Sequence, residues 1–222
     1  MRTRLPPQDP RHCRICLIRH GETAWNTERR LQGHLDVPLN ETGVAQAAAA
    51  AQHLAGERFA GLYCSDLLRT RQTAAPLVRV LGRPAVAEPR LRERHYGSFQ
   101  GLTYAEAAAS FPQAYALHKA RDPGFALPAG GESLNDFRFR IVAALADIAA
   151  RHRGQQVLVV THGGVLDIVH RLTSGRPLDA PREFGIPNAG LNWVEGVDGD
   201  WRLLAWAIED HLERALDELP QG

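Results

Sequence analysis

The segment Val157-Leu158-Val159-Val160-Thr161-His162-Gly163-Gly164 decides how this chain is built. It begins with an unbroken run of valine and leucine, the pattern of a strand covered on both faces. Two glycines then lead straight into residues 165–172, whose apolar spacing is helical. A buried strand passing directly into a helix is the unit from which parallel α/β sheets are made. Just upstream, Ser133 opens the clearest helix of the chain. Leu134, Phe137, Ile141, Leu145 and Ile148 recur at helical spacing, and Gly154 ends it.

The same alternation runs outward in both directions. Residues 13–18 read as a short strand ending at Arg19, and residues 60–64 as a buried strand. Between them lies a polar loop over residues 20–42, then an alanine-rich helix capped by Thr42, running to Leu54 and stopped at Gly56. Ser65 or Asp66 is expected to cap a helix that runs to Leu81 and Gly82, with a kink at Pro76. Residues 85–131 are irregular apart from a capping box, Thr103-Tyr104-Ala105-Glu106, and a short helix opened by Pro112. Residues 191–197 and 201–208, joined at Asp198-Gly199, make a terminal hairpin. The expectation is a three-layer α/β/α sandwich around a mostly parallel sheet. It would form a single domain over residues 12–219, with an insertion at about 97–131 over the site and a flexible arm at residues 1–11.

Composition limits the function. The chain has 222 residues, 44% hydrophobic and 23% charged, with 26 Lys+Arg against 25 Asp+Glu. A net charge of +1 speaks against nucleic acid or an anionic membrane as the main partner, since both call for a large positive excess. No apolar run approaches the roughly 18 residues that span a bilayer. Three cysteines, an odd number, and no leader-like segment at the start point to a reducing, cytoplasmic setting.

In an open α/β sheet, ligands bind beyond the carboxyl ends of the strands. Three polar clusters follow strand runs: Arg19-His20-Gly21-Glu22-Thr23, Ser65-Asp66 with Arg69, and Thr161-His162-Gly163-Gly164. Two histidines and two arginines at one sheet edge, with helix N-termini nearby, suit a dianion. Either His-Gly pair alone would be weak evidence, because a lone histidine is more often structural.

Longer strings add a resemblance. Leu17-Ile18-Arg19-His20-Gly21-Glu22-Thr23-Ala24-Trp25-Asn26 resembles the signature of the histidine phosphatase superfamily, which includes the cofactor-dependent phosphoglycerate mutases. Four further pieces follow in the family's order: residues 39–43 (LNETG), 65–74 (SDLLRTRQTA), 93–101 (ERHYGSFQG) and 161–164 (THGG). The similarity covers about residues 13–208 and implies a phosphoglycerate mutase-like fold. It implies His20 as a nucleophile that carries a phosphoryl group covalently, and Arg19, Arg69 and His162 as stabilisers of the charge on that group. Glu93 would be the general acid and base. Asn26, Thr23, Gln32, Gly33 and Gly163 are the implied substrate-binding residues, and neither metal nor other cofactor is needed. The flanking Arg92 and Arg94 would point away from Glu93 if that segment is extended.

Water as acceptor makes such a protein a phosphatase, and a second hydroxyl makes it a mutase. Mutases of this family carry an adjacent arginine pair in the insertion, whereas this chain has Lys119-Ala120-Arg121. Pro128-Ala129-Gly130-Gly131-Glu132-Ser133 resembles a segment common to the phosphatase branches, with Ala129 as an extra residue. The reading is a phosphomonoester hydrolase acting on a small phosphorylated metabolite, with a phosphoglycerate mutase as the alternative and a non-catalytic phospho-ligand binder behind it. The exposed edge of the hairpin would permit a homodimer. Cys13 and Cys16 have a metal-like spacing, but in a strand they face opposite sides and no second pair completes a site. Trp193, Trp201 and Trp206 read as hairpin core; His170 lies too far along its helix to join the site, and His34 lines the entrance or is exposed.

Overall fold

All seven residues of β1 (Cys13–Arg19) are buried, and their side chains alternate between two apolar cores. Cys13, Ile15 and Leu17 face one core, and Cys16 and Ile18 face the other. That period of two is what puts the two cysteines on opposite sides of the sheet. In this computed structural model, which describes residues 5–213 and 217, the elements after β1 are α1 (Ala24–Thr27), α2 (Glu41–His53), β2 (Gly61–Cys64), α3 (Leu68–Leu81) and β3 (Ala85–Ala87). Then come α4 (Tyr104–Ser110), α5 (Pro112–Lys119), α6 (Leu134–Arg151), β4 (Gln156–Thr161), α7 (Gly163–Ser174), β5 (Leu191–Val197) and β6 (Asp200–Ile208).

Among the described residues six strands form one sheet in the order β3-β2-β4-β1-β5-β6. β1, β2, β3 and β4 run parallel, and the β5–β6 hairpin is added antiparallel to β1. On one face α6 and α7 contribute Phe137, Ile141, Leu145, Val165 and Val169 to a core with Val157 and Val159. On the other, α2 with its C-cap Leu54, and α3, contribute Ala51, Leu54, Ala74 and Leu77 against Leu158 and Val160. The unbroken Val157–Val160 run is therefore apolar because both of its faces meet helices. Trp193 and Trp201 pack in opposite cores and Trp206 against the first.

Several local expectations change under tertiary contact. α2 begins one residue before Thr42, with Asn40 as its cap: Asn40 Oδ1 accepts from Gly43 N at 2.8 Å, and its amide donates to Glu22 Oε1 at 2.8 Å. Asn40 outranks Thr42 because it serves the helix and the preceding loop together. α3 has Leu67 at its cap position and no side-chain cap of its own; Asp66 pairs instead with Arg92. Leu68 N donates to Asp36 Oδ1 at 2.7 Å, so a carboxylate from a distant loop occupies the positive end of α3. β3 lies within the stretch read as irregular; it is largely exposed, and its three residues are too few for a strand period to show in the sequence. Pro76 sits inside the continuous helix α3.

Residues 5–11, expected as a loose arm, are tied to the sheet by Gln8 Nε2 to Gln155 O at 2.8 Å and by Arg14 Nη2 to Pro6 O at 2.9 Å. The first four residues of that arm and the expected domain end at 219 lie outside the described residues. In the expected insertion, α4 and α5 close over a satellite core of Leu31, Phe99, Ala107 and Leu127. Leu31 belongs to the loop after α1, so this cluster binds the 97–131 region to the mouth of the sheet. Among the described residues no helix is long and apolar enough to cross a membrane.

Candidate active site

Parallel register brings the two His-Gly junctions together. Arg19 at the end of β1 lies opposite Thr161 at the end of β4, and His20 N donates to Thr161 O at 2.8 Å. The imidazoles that come after each strand have ring centroids 5.3 Å apart. Both rings are buried. Gly21 is required by close approach, because a Cβ there would come within 2.4 Å of Gly43 O. Behind the junction, Asn188 Nδ2 donates to His20 O at 3.0 Å and Ala189 N to Arg19 O at 3.1 Å.

The His20 ring is held in one tautomer. Its Nδ1 lies 2.8 Å from Gly21 O; a carbonyl oxygen accepts only, so Nδ1 carries the proton and Nε2 carries the lone pair. Burial, followed by the Arg69 and Arg19 guanidiniums, holds the His20 pKa well below 6.5. Burial, Arg69 and His20 do the same for His162. Both imidazoles are thus neutral near pH 7. The two ring nitrogens of His162 are buried without a hydrogen-bond partner among the described residues.

The guanidiniums arrive from different elements. Arg19 is 2% exposed and donates to Ile186 O at 2.7 Å. Arg69, the second residue of α3 and 0% exposed, donates through Nη2 to Gly33 O at 2.8 Å and through Nη1 to Leu35 O at 2.9 Å. Burial lowers its pKa to about 10, which still leaves it cationic at neutral pH. Neutral carbonyls orient its fork without cancelling its charge.

Glu93 enters from a segment without strand pairing, beyond the 3-10 turn Pro89–Leu91. It is buried; its Oε1 accepts from Arg94 N at 2.7 Å and its Oε2 from Gly164 N at 2.9 Å. Burial raises its pKa above the ordinary 4.5, against the pull of these two amides and of Arg69 and Arg19. The flanking arginines are engaged elsewhere: Arg92 with Asp66, and Arg94 with Glu132 O at 2.7 Å. Thr161 Oγ1 donates to Leu91 O at 3.0 Å, linking the end of β4 to the same segment.

A cleft is lined by Arg19, His20, Asn26, Gln32, Arg69 and Glu93, with Arg29, Arg30, Leu31, Tyr96 and Tyr104 completing its wall. Of the expected substrate contacts, Asn26 and Gln32 reach this lining, whereas Thr23, Gly33 and Gly163 do not. Thr23 caps α1, donating to Asn26 Oδ1 at 3.0 Å and accepting from Gln32 Nε2 at 2.8 Å. Gly33 supplies the carbonyl that orients Arg69, and Gly163 is the first residue of α7. Sequence reasoning misses Arg29, Tyr96 and Tyr104 as cleft wall, since Tyr104 shows only its capping-box position and Arg29 is one arginine among many. His34 is half-buried with Nε2 2.7 Å from Glu93 O, and His170 stacks on Phe184 at 3.6 Å, away from the cleft.

Buried cations and neutral imidazoles at the carboxyl end of a parallel sheet define a protein that handles a phosphate-like anion. A family model, "Histidine phosphatase superfamily (branch 1)", matches residues 15–209, and the chain belongs to that family. It is 40% identical to a metal-independent phosphoserine phosphatase of Arabidopsis thaliana, over 89% of this chain and 82% of the relative. It is 39% identical to phosphoglycerate mutase-like protein 4 of the same plant, over 95% of this chain and 92% of the relative. The solved structure of YhfR from Bacillus stearothermophilus superposes with a TM-score of 0.83 at 31% identity, covering 90% of this chain and 100% of that one. The fold is phosphoglycerate mutase-like, and the chain is a phosphatase enzyme of this superfamily.

Proposed function

We propose that the protein hydrolyses a small phosphate monoester through a covalent phosphohistidine on His20. The observation that carries this reading is the pair of buried, neutral imidazoles 5.3 Å apart, set beside two guanidiniums and a carboxyl whose pKa is raised. Nε2 of His20 attacks phosphorus; the N–P bond forms as the ester P–O bond breaks, and protonated Glu93 gives its proton to the leaving oxygen. The Glu93 carboxylate then takes a proton from water as that water attacks phosphorus, the N–P bond breaks, and inorganic phosphate leaves.

Charge on the equatorial oxygens is met by Arg19, Arg69 and His162. An unpartnered buried polar group costs about 1–3 kcal/mol, and a phosphoryl oxygen beside a ring nitrogen of His162 relieves that cost. Asn26 and Gln32 contact the substrate from the cleft wall, while Thr23, Gly33 and Gly163 act by holding Asn26, Gln32, Arg69 and the start of α7. No metal enters these steps.

The acceptor is water rather than a second substrate hydroxyl. Arg121, the arginine nearest to a mutase-type pair, is committed to Asp167 at 2.6 Å and to Leu178 O at 2.8 Å, and it does not line the cleft. Phosphoserine heads the panel of monoesters to assay, because one of the two plant relatives is named as a phosphoserine phosphatase. Three buried free cysteines support a cytoplasmic setting, and the outer edge of β6 would serve a homodimer, to be read by sedimentation. Rapid quenching with labelled substrate tests the central step: an acid-labile adduct on His20 is expected, and an adduct on any other side chain refutes the reading.

A further inference from the structure

Glu93 has to be held without a strand ladder, and the residue that holds it comes from the opposite side of the 97–131 region. Arg140, in the second turn of α6, places all five of its N–H donors. Nη1 donates to Arg90 O at 2.7 Å and to Arg92 O at 2.8 Å, and Nη2 donates to Glu93 O at 2.7 Å. Nε and Nη2 also grip the two carboxylate oxygens of Glu132, at 2.5 and 2.8 Å. A planar guanidinium with every donor used is a rigid bracket, which a flexible ammonium cannot reproduce.

The bracket reaches both sides of Glu93. Glu132 Oε2 accepts from His95 N at 2.8 Å, and Glu132 N donates to His95 O at 2.9 Å. The second lone pair of Glu93 O is taken by His34 Nε2 at 2.7 Å, so that carbonyl is fully used. The Arg140 guanidinium lies 4.7 Å over the Phe137 ring, and Phe137 packs at Gly164, whose N–H binds the Glu93 carboxylate. One helix thus supports both the backbone of Glu93 and the turn that receives its side chain.

We propose that Arg140 is the positioning residue of the acid–base carboxylate, acting on the reaction only through the placement of Glu93. This rests on the reading of Glu93 given above, and the test separates the two. A correctly placed general acid matters most when the leaving group is poor, so kcat/KM is measured for a dinitrophenyl, a phenyl and an alkyl phosphate. Glu93→Gln is expected to lose about 10²- to 10⁴-fold on the alkyl ester and little on the dinitrophenyl ester. Arg140→Gln is expected to show the same slope with a loss of about 10²-fold on the alkyl ester, the scale of a misplaced reacting group. Arg140→Lys should give the same slope more weakly.

Combined with Glu93→Gln, Arg140→Gln should add nothing, because the two act as a unit. Equal losses on all three esters, or losses that multiply in the double variant, would overturn the proposal. If Arg140→Gln does not fold by circular dichroism, Arg140→Lys and Glu132→Gln carry the same comparison. Should Glu93→Gln itself show no dependence on leaving group, the acid–base assignment fails and the role of Arg140 falls with it.

Discussion

The dipeptide His-Gly closes two adjacent parallel strands, and the two copies are held in different ways. His20 precedes a loop and has Nδ1 pinned to its own turn at Gly21 O, leaving one defined lone pair. His162 is the cap residue of α7 without a side-chain cap bond, and neither of its ring nitrogens is bonded among the described residues. The glycines differ as well. A Cβ on Gly21 would meet backbone at Gly43 O, whereas one on Gly164, the second glycine of its junction, would meet Glu93 Oε1 at 2.1 Å. A nucleophile needs a fixed tautomer, while a charge stabiliser needs a position and a proton it can present to either side. On the proposed mechanism one sequence motif therefore serves two roles, separated by the loop after β1 and the helix after β4.

The sharpest way to break this contrast is to remove each ring in turn. His20→Ala should lower phosphate release by about 10⁴-fold or more, as for a nucleophile that acts within a unit. His162→Ala should cost about 10²- to 10³-fold, the scale of one stabilising donor, and should still form the labelled adduct on His20. Equal losses in steady-state assays of the two variants would erase the distinction.

The glycines sharpen it further. Gly21→Ala forces backbone against backbone and should destabilise by about 1–3 kcal/mol, read as a shift in the urea midpoint. Gly164→Ala should change stability by less than about 1 kcal/mol, because the nearest atom it meets ends a side chain. Its loss should appear in kcat/KM for poor leaving groups, through displacement of Glu93.

The smallest effect concerns acid stability. Both imidazoles have folded-state pKa values well below 6.5, so the unfolded chain binds more protons as pH falls through 6.5. The stability linked to them is fully present above that value and is lost as pH drops towards the folded-state values. Melting temperatures of the wild type should fall between about pH 7 and 5, and less steeply in His162→Asn than in the wild type. Glu93 has the opposite sign. Its raised pKa means stability present below the ordinary carboxylate range and lost as pH rises through the folded value. Glu93→Gln should accordingly show a flatter dependence of melting temperature on pH above the ordinary carboxylate range than the wild type, and an unchanged dependence would contradict the burial argument.

By itself the sequence determined the layers and the candidate site residues. Buried valines of β4, the helical stripe of α6, the terminal hairpin and the residues Arg19, His20, Arg69, Glu93 and His162 were all legible, because strand and helix periods and the family's strings are local properties of the chain. Tertiary structure alone decided how those groups are held. Asn40 displaced Thr42 as a cap through its bond to Glu22, Asp36 capped α3 from a distant loop, and Thr23 was drawn into holding Asn26 and Gln32. Tyr96 and Tyr104 became cleft wall, and Arg140 closed on three carbonyls. Hydrogen bonds between segments far apart in the chain leave no periodicity to read. Their geometry exists only after the two cores have brought the segments together.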